Sequence, residues 1–142
     1  MIVLDSDVVS TLMLEIRDKR LEEWLNRQPI LSLVTTTITV YEIQRGIDLL
    51  PEGHRRRRLS TAFGAILSSG FQNRILPLNN AAAREAARLS AERTKRGLNI
   101  GWQDTMIAGI ALANGAVVAT RNFKDFRDLG ARVINPWDAS GG

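Results

Sequence analysis

Ile2-Val3-Leu4-Asp5-Ser6-Asp7-Val8-Val9 is an apolar run that ends abruptly in acid. Ile2, Val3 and Leu4 read as a short strand buried on both faces, the pattern of a parallel sheet. Ligands of such sheets gather outside the carboxyl ends of the strands, where Asp5 falls. A carboxylate there is too costly to bury without a partner. Ser6 and Asp7 can cap a helix starting at Val8. Taken alone, both acids read as caps. Their meaning depends on whether other acids reach the same edge.

Outward from this strand the chain alternates. Aliphatics over 8–16 predict a helix, and Leu21, Trp24 and Leu25 at helical spacing predict another over 18–27, ended by Pro29. Residues 30–36 are rich in β-branched side chains and read as a second strand. Thr37 is the expected cap of a helix over 38–50, with Val40, Ile43, Ile47 and Leu50 on its main apolar face. Ile38 and Leu49 lie opposite, which suggests a helix sandwiched in the core. Glu42 then borders a buried zone; a surface pair with Arg45 is the competing reading.

Residues 52–58 form a polar link carrying Arg55-Arg56-Arg57-Arg58, and a helix continues to about residue 70. At a helix start this run opposes the macrodipole, so helix stability does not explain it. A solvated face and contact with RNA or a partner are the two explanations. Ile75-Leu76 is a short strand. Asn79 starts an alanine-rich helix stopped by Gly97, with Ala83, Ala86, Ala87 and Ser90 as its close-packing face. Arg84, Arg88 and Arg93 are expected to face water.

Trp102-Gln103-Asp104 opens a helix that ends at Asn114-Gly115. Asp104, Ile107, Ala108 and Ala111 share one face, so an acid heads a buried stripe. Residues 116–119 form another buried strand, with Thr120 at its end. A polar turn over 121–128 holds Asn122 and Asp125, and Val133-Ile134 is an edge strand.

The order β-α-α-β-α-α-β-α-α-β-α-β predicts an α/β fold, a central parallel sheet of four or five strands with helices on both faces. A chain of 142 residues is expected to be one domain, spanning 1–138, with a flexible tail over 139–142. There is no cysteine, which removes disulfides and thiolate catalysis. One histidine, His54, removes paired-histidine chemistry. Nothing approaches a transmembrane span or a secretory leader, and the absence of cysteine makes a cytoplasmic home the expectation. The net charge is +4, carried mainly by arginine, whose fork matches phosphate oxygens. Acids brought together at the sheet edge would repel, and a divalent cation relieves that. Oxygen-only ligands favour Mg²⁺ or Mn²⁺.

Four blocks resemble PIN-domain ribonucleases, specifically VapC-type toxins of toxin–antitoxin pairs. They are Ile2-Val3-Leu4-Asp5-Ser6-Asp7-Val8-Val9-Ser10, Thr37-Ile38-Thr39-Val40-Tyr41-Glu42-Ile43-Gln44-Arg45-Gly46, Asp104-Thr105-Met106-Ile107-Ala108-Gly109-Ile110-Ala111 and Val118-Ala119-Thr120-Arg121-Asn122-Phe123-Lys124-Asp125-Phe126. Asn135-Pro136-Trp137 resembles endings of a subgroup that pairs with DNA-binding antitoxins. The resemblance implies a Mg²⁺- or Mn²⁺-dependent ribonuclease with Asp5, Glu42 and Asp104 as catalytic acids. Asp5 and Asp104 are the implied metal ligands, Thr120 and Asn122 the supporting groups. It also implies an RNA substrate, a cognate antitoxin and a homodimer.

This chain departs from the family twice. Some relatives carry aspartate at the position of Asn122, so either Asp125 supplies the fourth acid or the site runs on three acids plus an amide. Asp7 stands where asparagine is commoner, either tightening metal binding or capping a helix. Asp5-Ser6-Asp7 also opens aspartyl-phosphate phosphatases. Those need a later lysine and an acidic pair, which Lys124 and its surroundings do not supply. A catalytically silent protein that keeps the fold to bind RNA or an antitoxin is the remaining alternative.

Overall fold

The computed structural model describes residues 1–138; the tail expected over 139–142 lies outside them. Five strands form one parallel sheet in the order β3-β2-β1-β4-β5. They are β1 (Ile2–Leu4), β2 (Leu33–Thr36), β3 (Ile75–Leu76), β4 (Val117–Ala119) and β5 (Val133–Ile134). The α-helices are α1 (Ser6–Leu12), α2 (Lys19–Asn26), α3 (Thr37–Asp48), α4 (His54–Ala65), α5 (Asn80–Lys95), α6 (Trp102–Ala113) and α7 (Phe123–Asp128). Among the described residues, no helix is long and apolar enough to cross a membrane.

Side chains alternate across a strand, and here the alternation divides the core. Val3 and Val118 join Val34, Leu89, Ile107 and Phe126 on one face of the sheet. Leu4 and Ala119 join Val8, Leu21, Trp24, Ile43 and Phe63 on the other. Both faces are covered, as the uninterrupted apolar strands anticipate.

Several boundaries differ from expectation. Asp5, not Ser6 or Asp7, caps α1: its backbone is extended and its carboxylate accepts from the Ser6 N–H at 2.8 Å. That helix stops at Leu12, leaving Ile16 84% exposed. Thr36 likewise caps α3 in place of Thr37, accepting from the Thr39 N–H at 3.1 Å. In both cases the final extended residue of the strand already holds its oxygen over the helix. Residues Ile30–Ser32 form a 3₁₀ turn, so the strand begins only at Leu33. Leu49 is exposed rather than sandwiched. The segment expected as a polar turn is helical from Phe123 to Asp128, filling the last α of the alternation. A π-helical turn, Ile66–Gly70, follows α4.

The buried stripe of α5 is Ala82, Ala86, Leu89 and Arg93, while Ala83, Ala87 and Ser90 are exposed. Arg93 therefore does not face water. It continues the i, i+4, i+7, i+11 face against the core and is only 5% exposed. Gly109 on α6 lets this face approach closely: a Cβ there would stand 2.7 Å from the Ala82 carbonyl oxygen.

Candidate active site

In the order β3-β2-β1-β4-β5, the chain builds outward on one side of β1 and then jumps to the other. The crevice between the carboxyl ends of β1 and β4 is the topological switch point, where open α/β sheets bind ligands. Asp5 ends β1 and Thr120 ends β4. The Asp5 N–H donates to the Ala119 carbonyl at 3.0 Å, which locks the two strand ends side by side.

From there a chain of hydrogen bonds runs through the site. The Asn122 N–H donates to Thr120 Oγ1 at 2.9 Å, and the Thr120 hydroxyl donates to Asp5 Oδ2 at 2.8 Å. The Asn122 side-chain amide donates to Asp104 Oδ2 at 2.6 Å and to Asp125 Oδ2 at 3.2 Å. An amide with two N–H donors thus sits between two carboxylates that would otherwise repel. The α7 turn swings Asp125 to the site through this amide.

The acids feel one another. Burial, then the Asp7 charge, pushes the Asp5 carboxyl up to about 7, against the opposing bonds from Thr120 and Ser6. Glu42 is raised by burial and then by Asp104 and Asp7. Asp104 is raised by burial and then by Asp125 and Asp7, with the Asn122 bond holding it down. Asp5, Glu42, Asp104 and Asp125 therefore come together as one electrostatic cluster, with Thr120 and Asn122 inside it. The proposed Glu42–Arg45 pair does not form among the described residues.

Asp7 is the member whose place the sequence left open. It does not cap α1. Its Oδ2 accepts from the Arg121 N–H at 2.8 Å, and its charge reaches Asp5, Glu42 and Asp104. Its carboxylate in place of the commoner asparagine was the available signal. Asp7 Oδ1 and Glu42 Oε1 are buried oxygens with no hydrogen-bond donor. Orphaned carboxylate oxygens among like charges fit an oxygen-liganded cation such as Mg²⁺ or Mn²⁺. Among the described residues, no three acids stand close enough to cage an ion unaided.

A clasp backs the β4 edge. The Arg121 guanidinium lies 3.7 Å over the Trp137 ring, whose N–H donates to Asp18 Oδ2 at 2.9 Å. The PIN-domain family model matches residues 2–131. This chain belongs to the PIN-domain family. The PIN domain is 37% identical over 139 residues to the plasmid stability protein StbB of Pseudomonas syringae pv. tomato, covering 98% of this chain and 100% of that one. It is 36% identical to VapC ribonuclease Y4jK of Sinorhizobium fredii, covering 97% and 99% of the two chains. Among solved structures, FitAcB from Neisseria gonorrhoeae superposes with a TM-score of 0.84 at 28% identity, covering 97% of this chain and 99% of that one. FitAB bound to an IR36 DNA fragment gives a TM-score of 0.86 at 29% identity, covering 96% of each chain.

Proposed function

We propose that this PIN domain is a divalent-metal-dependent endoribonuclease, a toxin silenced by a DNA-binding antitoxin. The observation that carries this reading is the gathering of Asp5, Asp7, Glu42, Asp104 and Asp125 at the switch point, with two buried oxygens left without donors. The name of one relative is that of a ribonuclease, and one structural relative is a complex on DNA. A silent binding protein has no need of an intact acid set.

Asp5 and Asp104 would hold Mg²⁺ or Mn²⁺, and Asp7 adds negative charge beside both. Such an ion lowers the pKa of a coordinated water and offsets phosphate charge. Thr120 fixes the Asp5 carboxylate, and Asn122 fixes Asp104 against Asp125. Asp125 serves as the fourth acid. Glu42 has an unpartnered oxygen to orient the attacking water, and its raised pKa suits it to accept the proton. Water attacks phosphorus and gives a proton to Glu42, the bond from phosphorus to one ribose oxygen breaks, and that oxygen leaves as a hydroxyl with a proton from solvent.

A cavity of about 450 Å³ has no acid in its lining, which includes Leu12, Leu25, Ile30, Ile66 and Phe71. It fits the apolar face of an antitoxin helix. We assign the protein to the cytoplasm, as a homodimer. Purified protein incubated with mixed RNAs should cut them with Mg²⁺ or Mn²⁺ and not with chelator. Asp5→Asn and Asp104→Asn should fold and not cut. Cleavage indifferent to chelator would overturn the reading.

A further inference from the structure

Two helices frame the acids, and each presents an aromatic ring just outside them. On α3, Tyr41 precedes Glu42; on α6, Trp102 stands two residues before Asp104. The same pair of helices therefore brings the Glu42 and Asp104 charges within reach of each other and the Tyr41 and Trp102 rings into contact. The two rings meet at 5.8 Å with a 59° tilt, yet remain 51% and 49% exposed. Each ring fixes the other without burying it, so a broad π surface stands open beside the acidic pocket.

Tyr41 also borders a groove of about 560 Å³ along α3, with Val40 and Leu49 as apolar wall and Gln44, Arg45 and Asp48 at its edge, the Asp48 charge already engaged by Arg56 at 3.6 Å. Arg45 follows Tyr41 by one helical turn and forms no ion pair among the described residues. Neighbouring carboxylates repel a phosphate chain, so the acids alone cannot hold RNA in place. A ring face and a nearby guanidinium hold a strand whatever its sequence, because every base has a π face.

We infer that the Tyr41–Trp102 pair is a stacking platform for an unpaired base of the RNA substrate, with Arg45 meeting the phosphate that follows along α3. The inference rests on the ribonuclease reading and names the residues that hold the strand beside the acids. A base already stacked within a duplex cannot offer its face, so single strands and loops are taken over helices. A second copy of this chain is the other occupant that open aromatics would suit, and the experiment separates the two.

Binding is measured on the full-length protein in chelator, so that no cutting occurs, with a short single-stranded oligoribonucleotide, its duplex form and a set carrying one abasic position each. Single strand should bind better than duplex. One abasic position should weaken the parent by about tenfold or more and leave Trp102→Ala unaffected. In Mg²⁺, Tyr41→Ala and Trp102→Ala should raise KM roughly tenfold with kcat within about threefold, and Trp102→Phe should restore most of the loss. Light scattering follows the oligomeric state of each variant. Monomers with unchanged affinity for single strands would make the ridge a self-association surface and overturn the platform. Equal binding of duplex and single strand would do the same. Abasic-sensitive binding with no cleavage by the parent protein would instead sink the ribonuclease reading and keep the platform.

Discussion

The Asp5 carboxylate caps α1 through the Ser6 N–H while facing Asp7 and Asp104 from a buried position. Its carboxyl titrates near about 7 when folded, against 3.8 for an ordinary aspartate. The folded state therefore holds the proton more tightly than the unfolded one. Stability falls as pH rises from about 4 to about 7, and the penalty is a few kcal/mol at most. In chelator, Asp5→Asn should melt above the parent at pH 8, with the gap closing toward pH 4. Mg²⁺ or Mn²⁺ at pH 8 should raise the parent's melting temperature and leave that variant unchanged. Asn122 and Asp125 divide a second duty. Asp125→Ala should weaken metal-dependent cleavage more than stability, and added Mn²⁺ should partly restore the rate. Asn122→Ala should have the smaller effect on rate, because an amide brings no charge to the ion; the reverse order in a metal titration would exchange their roles. Asp5, Glu42 and Asp104 were legible because each breaks an apolar pattern at a strand end or helix face. The duty of Asp7 was not, since it depends on Arg121, far along the chain and next to it only after folding.

Helix α6 meets α5 at Gly109, where replacement by alanine sets two effects against each other. Alanine gains about 1 kcal/mol of helix propensity. Its Cβ, however, would stand 2.7 Å from the Ala82 carbonyl and 2.8 Å from the Ala86 Cβ, neither a flexible side-chain end. Overpacking typically costs about 1–3 kcal/mol, so Gly109→Ala should lower the melting temperature in a calorimetric scan. On the facing helix, Arg93 buries Nε and Nη1 without hydrogen-bond partners. Each unsatisfied donor costs roughly 1–3 kcal/mol, so Arg93→Met should raise the denaturation midpoint. The spacing of Ala82, Ala86, Leu89 and Arg93 already pointed that side chain inward; the habit of placing arginine in water overrode it. The arginine run shows the opposite lesson. It does open α4, and Arg56 and Arg58 are drawn to Asp48 and Glu15 at 3.6 and 3.1 Å. Arg55 and Arg57 stay exposed without ion pairs among the described residues, which composition alone could not have sorted.

At the scale of the molecule, the parallel sheet and its two-sided cover followed from Ile2-Val3-Leu4 and Val117–Ala119, strands with no polar face. The strand order did not, because nothing local says that β4 crosses to the free edge of β1. Placing an acidic pocket at that junction makes the free protein harmful to its host under the proposed function. Expression alone should therefore arrest growth, while co-expression with the neighbouring antitoxin gene restores it; equal growth in both cultures would count against the toxin assignment. The β1–β4 junction also has a consequence for how the molecule comes into being. Asp5 is synthesised 115 residues before Thr120, and Asn122 and Asp125 come later still. At about 5–20 residues per second, several seconds pass in which the nascent chain holds Asp5 beside β2 alone. A product released early, short of Val117, leaves β1 with an open edge and no hydroxyl or amide to orient its acids. Under the proposed function, activity therefore waits for β4 and the α7 turn, and a message broken before them yields inert fragments in place of a partly active nuclease.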